Sequence, residues 1–448
     1  MRTSRITRLG LGGVLAGVLA LTACAPTGSG GGTGSSGAGD GDAPEVSTEL
    51  GDEPVELVLY DGAGLKTIDD ALIAAFQDEF PNVTITTRFD PDNVQAQNAP
   101  RVLSSEDPPD LARINSLGST AHNGLLTNLD PWAEAYGWTD LPSGQLAMYT
   151  VDEDGVRGTG SQFSLASGFV TTGLYVNTDL MAQLGIDAPP TTVAEWEEQL
   201  ATAKAAGVTG IMAGNATGGG LTTLQFLLNG HVGADAINQW VYNAPDATIA
   251  TPEGDEAVAT LDEWIRAGYF NDDANGTDAA GALARFASGD GLFFASGNWD
   301  ASGIAGQMDD VTFAAPPALT EGQFLAMSDP VSNFGIPAKA KAENKNAAAA
   351  FLNFLLSDEA RQILVDNGFA PSGEGAAPTT EPGSLNEAVQ ASFVALVEAD
   401  GQVQFIQNAT PGITQTQNQE IQNLFGGKSS PTDVLPAIQK AYEEELGR

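Results

Sequence analysis

The sequence predicts an α/β protein built as two lobes, and two observations carry that expectation. From Val55 onward, short β-rich runs alternate with amphipathic helical stretches, the pattern of a parallel sheet covered by helices. About 400 residues follow a Gly/Ser-rich tract near the N-terminus, enough chain for two or more hydrophobic cores.

Ahead of that region, Arg2, Arg5 and Arg8 precede an uncharged, mostly apolar run from Leu9 to Ala23. This is a secretory signal pattern, too short for a permanent membrane-spanning helix. It ends in Leu21-Thr22-Ala23-Cys24, and Cys24 is the single cysteine of the 448 residues, so it has no disulfide partner within the chain. Leu-Thr-Ala-Cys resembles the lipobox of bacterial lipoproteins, which implies cleavage before Cys24 and lipidation of its thiol. A diacyl or triacyl cysteine anchors a protein stably, where one chain would not. Residues 1–23 are thus expected to be a signal peptide and 24–50 a lipidated tether. Thr27 to Asp42 holds no apolar residue larger than alanine, so it cannot bury surface; sixteen such residues span about 22 Å as a coil.

Composition sets further bounds. The chain has 18 basic and 58 acidic residues, a net charge of −40. Removal of the signal, with three arginines and no acid, leaves 15 against 58, or −43. Such a surface excludes nucleic acid as a partner and does not favour an anionic membrane face. Beyond the signal no apolar run is long enough to span a bilayer, so a lipid anchor is the expected membrane contact.

The elements follow in order. Val55–Tyr60 reads as a strand ending at Asp61-Gly62. A helix comes next, with Thr67 and Asp70 spaced as a capping box and with Ile68, Leu72, Ala75, Phe76 and Phe80 on one face. Pro81 stops it, and Val83, Ile85, Thr87 and Phe89 alternate as a second strand. Helix Asn93–Ser104 and strand Leu111–Ile114 complete the first unit. Ligands of parallel sheets sit beyond the carboxyl ends of the strands, where Asp61 and Asn115 fall. The middle repeats the pattern: strand Gly173–Asn177, helix Thr178–Leu184 ended by Gly185, a helix carrying Val193, Trp196 and Leu200, and helical segments at Leu221–Leu228 and Val258–Ala267. Helix Ala282–Phe286 leads to strand Leu292–Ala295, which opens into the polar turn Ser296-Gly297-Asn298-Trp299-Asp300. Asn333–Pro337 follows, with helices near Asn346–Leu356, Leu385–Val397 and Asp433–Leu446. Asn271–Gly276 is reminiscent of a calcium loop, but position twelve is Ala282 and the bidentate glutamate is missing, so no metal is expected there. Crossings between lobes are expected near Ser164–Thr172, Ser328–Asn333 and Pro371–Pro382, regions rich in small residues or proline. They divide the chain into lobe 1, 51–168 plus 330–372, and lobe 2, 169–329 plus 373–448.

In this order the parts resemble the bacterial extracellular solute-binding proteins of ABC transporters, in the group of maltose- and other sugar-binding proteins. The residues that carry the resemblance are the lipobox at Cys24, Tyr60-Asp61-Gly62, Pro109-Asp110-Leu111, Leu174–Leu180 and Pro189–Thr192. Phe286–Phe293 ahead of Gly297-Asn298-Trp299, and Asn344–Leu352, complete the set. The resemblance implies a periplasmic-binding-protein-like fold, with two α/β lobes joined by hinge crossovers and a sugar held between them. It also implies a monomer that delivers its solute to permease subunits outside the plasma membrane. A sugar presents apolar CH faces and rings of hydroxyls, which call for an aromatic platform with carboxylates and amides around it. Trp299 is the expected platform, with Asp61, Asn115, Asn298, Asp300 and Asn333 as polar partners. Thr410–Gln417 and Leu224-Gln225-Phe226 lack aromatics common in the family, which points to a mono- or disaccharide rather than a long maltodextrin.

Two other readings stay open. The same fold could take a polyamine or another small cation between acids and an aromatic. A tethered glycoside hydrolase would need a defined carboxylate pair, which 58 acids supply too freely to be informative. With two histidines, no spare cysteine and no H-E-x-x-H or G-x-S-x-G, the sequence predicts no enzyme and no cofactor.

Overall fold

The computed structural model describes residues 46–373, 375, 379–410 and 412–448, with the backbone alone at Asn93. The predicted signal, Cys24 and most of the tether therefore lie outside the described residues, as do parts of the expected Pro371–Pro382 crossing.

Strands β1 (Val55–Gly62), β2 (Val83–Asp90) and β3 (Leu111–Arg113) are parallel, with β1 in the middle. Leu57 and Leu59 face one core and Tyr60 another, as expected for a strand covered on both sides. Next come β4 (Thr150–Val151) and β5 (Ser161–Gln162), a small antiparallel pair of their own. They are followed by β6 (Leu165–Asn177), β7 (Ile211–Met212), β8 (Phe293–Gly297) and β9 (Val311–Ala314). The last three are β10 (Ala326–Gly335), β11 (Ala370–Pro371) and β12 (Gln402–Val403). One sheet runs β2-β1-β3-β10-β6-β8-β7, with β9 and β11 also pairing β6, and β12 pairing β10.

The long strands β6 and β10 tie two cores together. Residues Leu165 to Thr171 of β6 pair with β10, whereas Thr172 to Asn177 pair with β8 and β9. Accordingly Leu165 and Phe169 pack with Leu57, Phe76, Leu111 and Phe351, while Leu174 and Val176 pack with Trp196, Trp264, Phe293 and Tyr442. The first part of β6 is more regular than its sequence suggests. Ser167 and Gly168, in the expected crossing, lie within the strand; a side chain at Gly168 would strike the carbonyl of Ala370 in β11. Helix Leu385–Glu398 straddles the arrangement, with Leu385 and Val389 packing beside Tyr175 and Phe286 but Phe393 and Leu396 packing with Phe169.

Most expected elements form near their expected bounds. Asn177 caps helix Thr178–Leu184 by accepting from Leu180 N at 3.0 Å, and Gly185 ends it in the left-handed conformation. Thr192 and Glu195 form a full capping box on helix Val193–Ala205. The box expected at Thr67 and Asp70 does not form. A 3₁₀ turn, Ala63–Leu65, runs straight into helix Lys66–Glu79, so the helix has begun before Thr67 and no side chain caps it. Asp70 instead pairs with Lys66 one turn back. Among the described residues no helix is long and apolar enough to cross a membrane.

Candidate functional site

The carboxyl ends of β1 and β3 and the last residues of β10 lie together in the sheet, and this brings three of the six candidate ligand residues into one region. Asp61 ends β1 fully buried, with Arg113 Nη1 of β3 3.4 Å from its Oδ1. The same guanidinium nitrogen lies 3.1 Å from Asp92. Ile114 N donates to Asn333 O at 2.9 Å, so the segment that carries Asn115 lies along β10. Asn115 is exposed, and its amide donates to Gln95 Oε1 at 2.6 Å. Asn333 is buried, and its Oδ1 has no hydrogen-bond partner within the described residues. A buried amide oxygen without a donor is costly unless something else supplies one.

The remaining three candidates follow β8. Asn298 is buried and engaged at both ends of its amide: Oδ1 accepts from Thr171 N at 3.1 Å and Nδ2 donates to Gly368 O at 2.8 Å. Its geometry fastens the β8 turn to β6. Asp300 accepts from Ser296 Oγ at 2.5 Å, and burial raises its carboxyl above the ordinary range. Trp299 stands apart from the other tryptophans. Trp132, Trp138, Trp196, Trp240 and Trp264 are at most 3% exposed, while Trp299 is 46% exposed. Its six-membered ring lies over Gly297, where any Cβ would overlap it, and Phe405 flanks it at 6.3 Å between centroids.

A cleft of about 480 Å³ opens between the two sides of the molecule. One wall is Asn115 to Ser119 with Gly155 and Arg157; the other is Val241 to Asn243, Gln407 to Thr410, Glu445 and Leu446. Of the six candidates only Asn115 lines this cavity; Trp299 does not, and its ring neighbour is Phe405. Sequence reasoning missed Arg157, Tyr242 and Asn408 of its walls and the groups bonded to them. Arg157 lies 4.7 Å over the ring of Tyr242 and donates from Nη2 to Gln404 Oε1 at 3.3 Å, bridging the two walls. Asp329 of β10 is half-buried and accepts from Asn408 Nδ2 at 3.1 Å. Burial pushes the Asp329 carboxyl up to about 6, against the opposing pull of Arg157 and Arg113. Asp329 falls inside the expected crossing Ser328–Asn333, which was the one available signal; Arg157, Tyr242 and Asn408 carried none. Among the described residues no group of three or more His, Cys, Asp or Glu is placed to hold a metal ion, and Asp273 of the calcium-like segment is paired with Arg285 at 2.9 Å.

The model of the bacterial extracellular solute-binding protein family matches residues 62–362. No curated protein matches the chain. Solved structures match it nearly end to end. A family 1 extracellular solute-binding protein from Bifidobacterium longum subsp. infantis is 18% identical, with a TM-score of 0.73, covering 88% of this chain and 100% of its own. The bacterial solute receptor AcbH, described by its preference for β-D-galactopyranose, is 17% identical with a TM-score of 0.72, covering 89% and 100%. A chitin oligosaccharide binding protein is 22% identical with a TM-score of 0.68, covering 89% and 100%. At these identities the likeness is one of fold, which is α/β and periplasmic-binding-protein-like.

Proposed function

From the premise that this chain belongs to the bacterial extracellular solute-binding proteins, we propose that it captures a sugar and hands it to the permease of an ABC importer. The observation that carries this reading is the exposed ring of Trp299, held over Gly297 and backed by Phe405 in a protein whose other tryptophans are buried. An exposed indole beside buried carboxylates and amides suits the CH face and hydroxyls of a mono-, di- or short oligosaccharide. Asn115 and Asn408, the latter hydrogen-bonded to Asp329, offer hydroxyl partners along the cleft, and the orphan oxygen of Asn333 offers a further acceptor. The fold neighbours that bind chitin oligosaccharides and galactopyranose support the same class. A polyamine or other cation is disfavoured by Arg113 and Arg157, whose charges already bear on Asp329.

In this reading the lobes are 51–168 with 330–372 and 169–329 with 373–448, and they close on the solute by moving about β6 and β10. The protein works as a monomer outside the plasma membrane, tethered through lipidated Cys24, and catalyses nothing. A thermal-shift screen over sugars, polyamines, peptides and metal ions tests it. A sugar at a hundredfold its Kd stabilises the folded state by about 2.7 kcal/mol and raises Tm. Small-angle scattering with the same sugar should then give a smaller radius of gyration at constant mass. A shift with spermidine and with no sugar would overturn the reading.

A further inference from the structure

The cleft is lined by one cation that has no ion-pair partner among the described residues. Arg157 sits in the hairpin between β4 and β5, where Val156 N donates to Asp152 Oδ1 at 2.8 Å and Gly158 N to Thr150 O at 3.1 Å. Gly158 has φ of +101°, and a Cβ there would come within 3.0 Å of the Tyr242 ring, so the hairpin lies directly on the opposite wall. This lays the guanidinium over Tyr242 and leaves its Nη2 near Gln404 Oε1 and Met148 O, at 3.3 and 3.5 Å. The rest of the donor set is idle. Nε is buried and has no acceptor, and Nη1 makes no hydrogen bond or ion pair among the described residues. A buried N–H on a charged group is costly unless something supplies it with an acceptor.

The neighbouring charges do not satisfy this guanidinium. Arg113, the other arginine that acts on Asp329, is paired with Asp61 and Asp92. Asp329 feels the charge of Arg157 but forms no ion pair with it, and it spends an oxygen on Asn408. Glu445, the other charged residue lining the cleft, is exposed and accepts from Gly412 N at 2.8 Å. An oriented arginine with free N–H groups is the side chain best shaped to bind a planar carboxylate.

We propose that the cleft selects a sugar carrying a carboxylate, a uronic acid or short oligouronide, and that Arg157 is the residue that recognises the charge. The inference rests on the sugar-binding reading of the same cleft and adds the class of sugar. A phosphate suits the site less well, since it brings about two negative charges to a single cation in a cleft that also holds Glu445. The net charge of −40 does not exclude a small anion here. Distant surface charges are screened beyond about 8 Å at physiological ionic strength, whereas a contact with Arg157 is not.

Matched sugars isolate the charge. D-galacturonate, D-glucuronate and their disaccharides are titrated calorimetrically into the protein, each beside its neutral parent sugar and its methyl ester. The ester keeps the size of the acid and removes its charge. At least one uronate should bind about 10- to 100-fold tighter than both neutral forms, the range of a charge-assisted hydrogen bond. Arg157→Gln should bring that uronate to within about threefold of its parent, while Arg157→Lys keeps the charge, loses the fork and should retain part of the preference. Should Arg157→Gln fail to fold, Arg157→Lys and the wild-type preference for acid over ester decide. No preference for any uronate, a preference that survives Arg157→Gln undiminished, or tighter binding of galactose 6-phosphate would overturn the inference. Neutral sugars that bind with no uronate preference would leave the sugar reading standing without it; a protein that binds neither would lose both.

Discussion

Replacing Trp299 by alanine tests the site most directly, because this side chain is exposed while its five counterparts are buried. A fully buried aromatic removes roughly 150–250 Å² from water. With Trp299 already about half covered by Gly297 and Phe405, some 100 Å² is left for a solute, and a flat sugar face covers half of that or more. At about 25 cal/mol per Å² the loss on Trp299→Ala is roughly 1–2.5 kcal/mol of binding, about a 5- to 70-fold rise in Kd. Stability should change by little, since no core cluster includes this side chain. Isothermal titration with the sugar found by thermal shift supplies the Kd. Intrinsic fluorescence offers an independent reading, because Trp299 is the indole a solute can reach and its removal should abolish most of the ligand-induced change. Trp299→Phe should recover part of the affinity. An unchanged Kd, within twofold, in a folded Trp299→Ala protein would refute the platform. A large drop in Tm would refute the claim that the ring is free of the core.

Gly297→Ala should reproduce the binding loss of Trp299→Ala without removing the indole, because its Cβ would overlap the ring and φ of −117° at that position needs no glycine; titration calorimetry and Tm together check it. Asp329, with its carboxyl raised to about 6, should accept from solute hydroxyls when ionised, so affinity should fall by up to about tenfold per pH unit below 6 and the fall should vanish in Asp329→Asn. The same shift acts oppositely on stability: the folded state holds this proton more tightly, so its contribution is present below about pH 4 and lost as pH rises through about 6. Cys24→Ala, expressed in the host, should leave the membrane fraction in which the wild type is found; equal partitioning of both would refute lipidation.

The sequence by itself determined the elements whose signals are local. Strand-and-helix alternation from Val55, the stop at Gly185 and the start at Thr192 are all legible because periodicity and end-capping act within a few residues. The turn Asn298-Trp299-Asp300 also forms where the sequence placed it, with Trp299 exposed but Asn298 buried. Local reasoning failed at Thr67, where a preceding 3₁₀ turn had already started the helix. It also could not see that Gly168 sits inside a strand for the sake of Ala370, about two hundred residues away. Tertiary structure alone decided which polar groups are spent and which are free. Asn298 is engaged by Thr171 and Gly368, whereas the Oδ1 of Asn333 is left without a partner, and nothing in either neighbourhood of sequence distinguishes the two amides. Arg157 over Tyr242, Asn408 on Asp329, and Ser332 on Asp69 likewise join segments distant in the sequence. The reason is physical: burial and hydrogen-bond satisfaction depend on what surrounds a group in space, and for a binding cleft those surroundings come from segments that share no local signal.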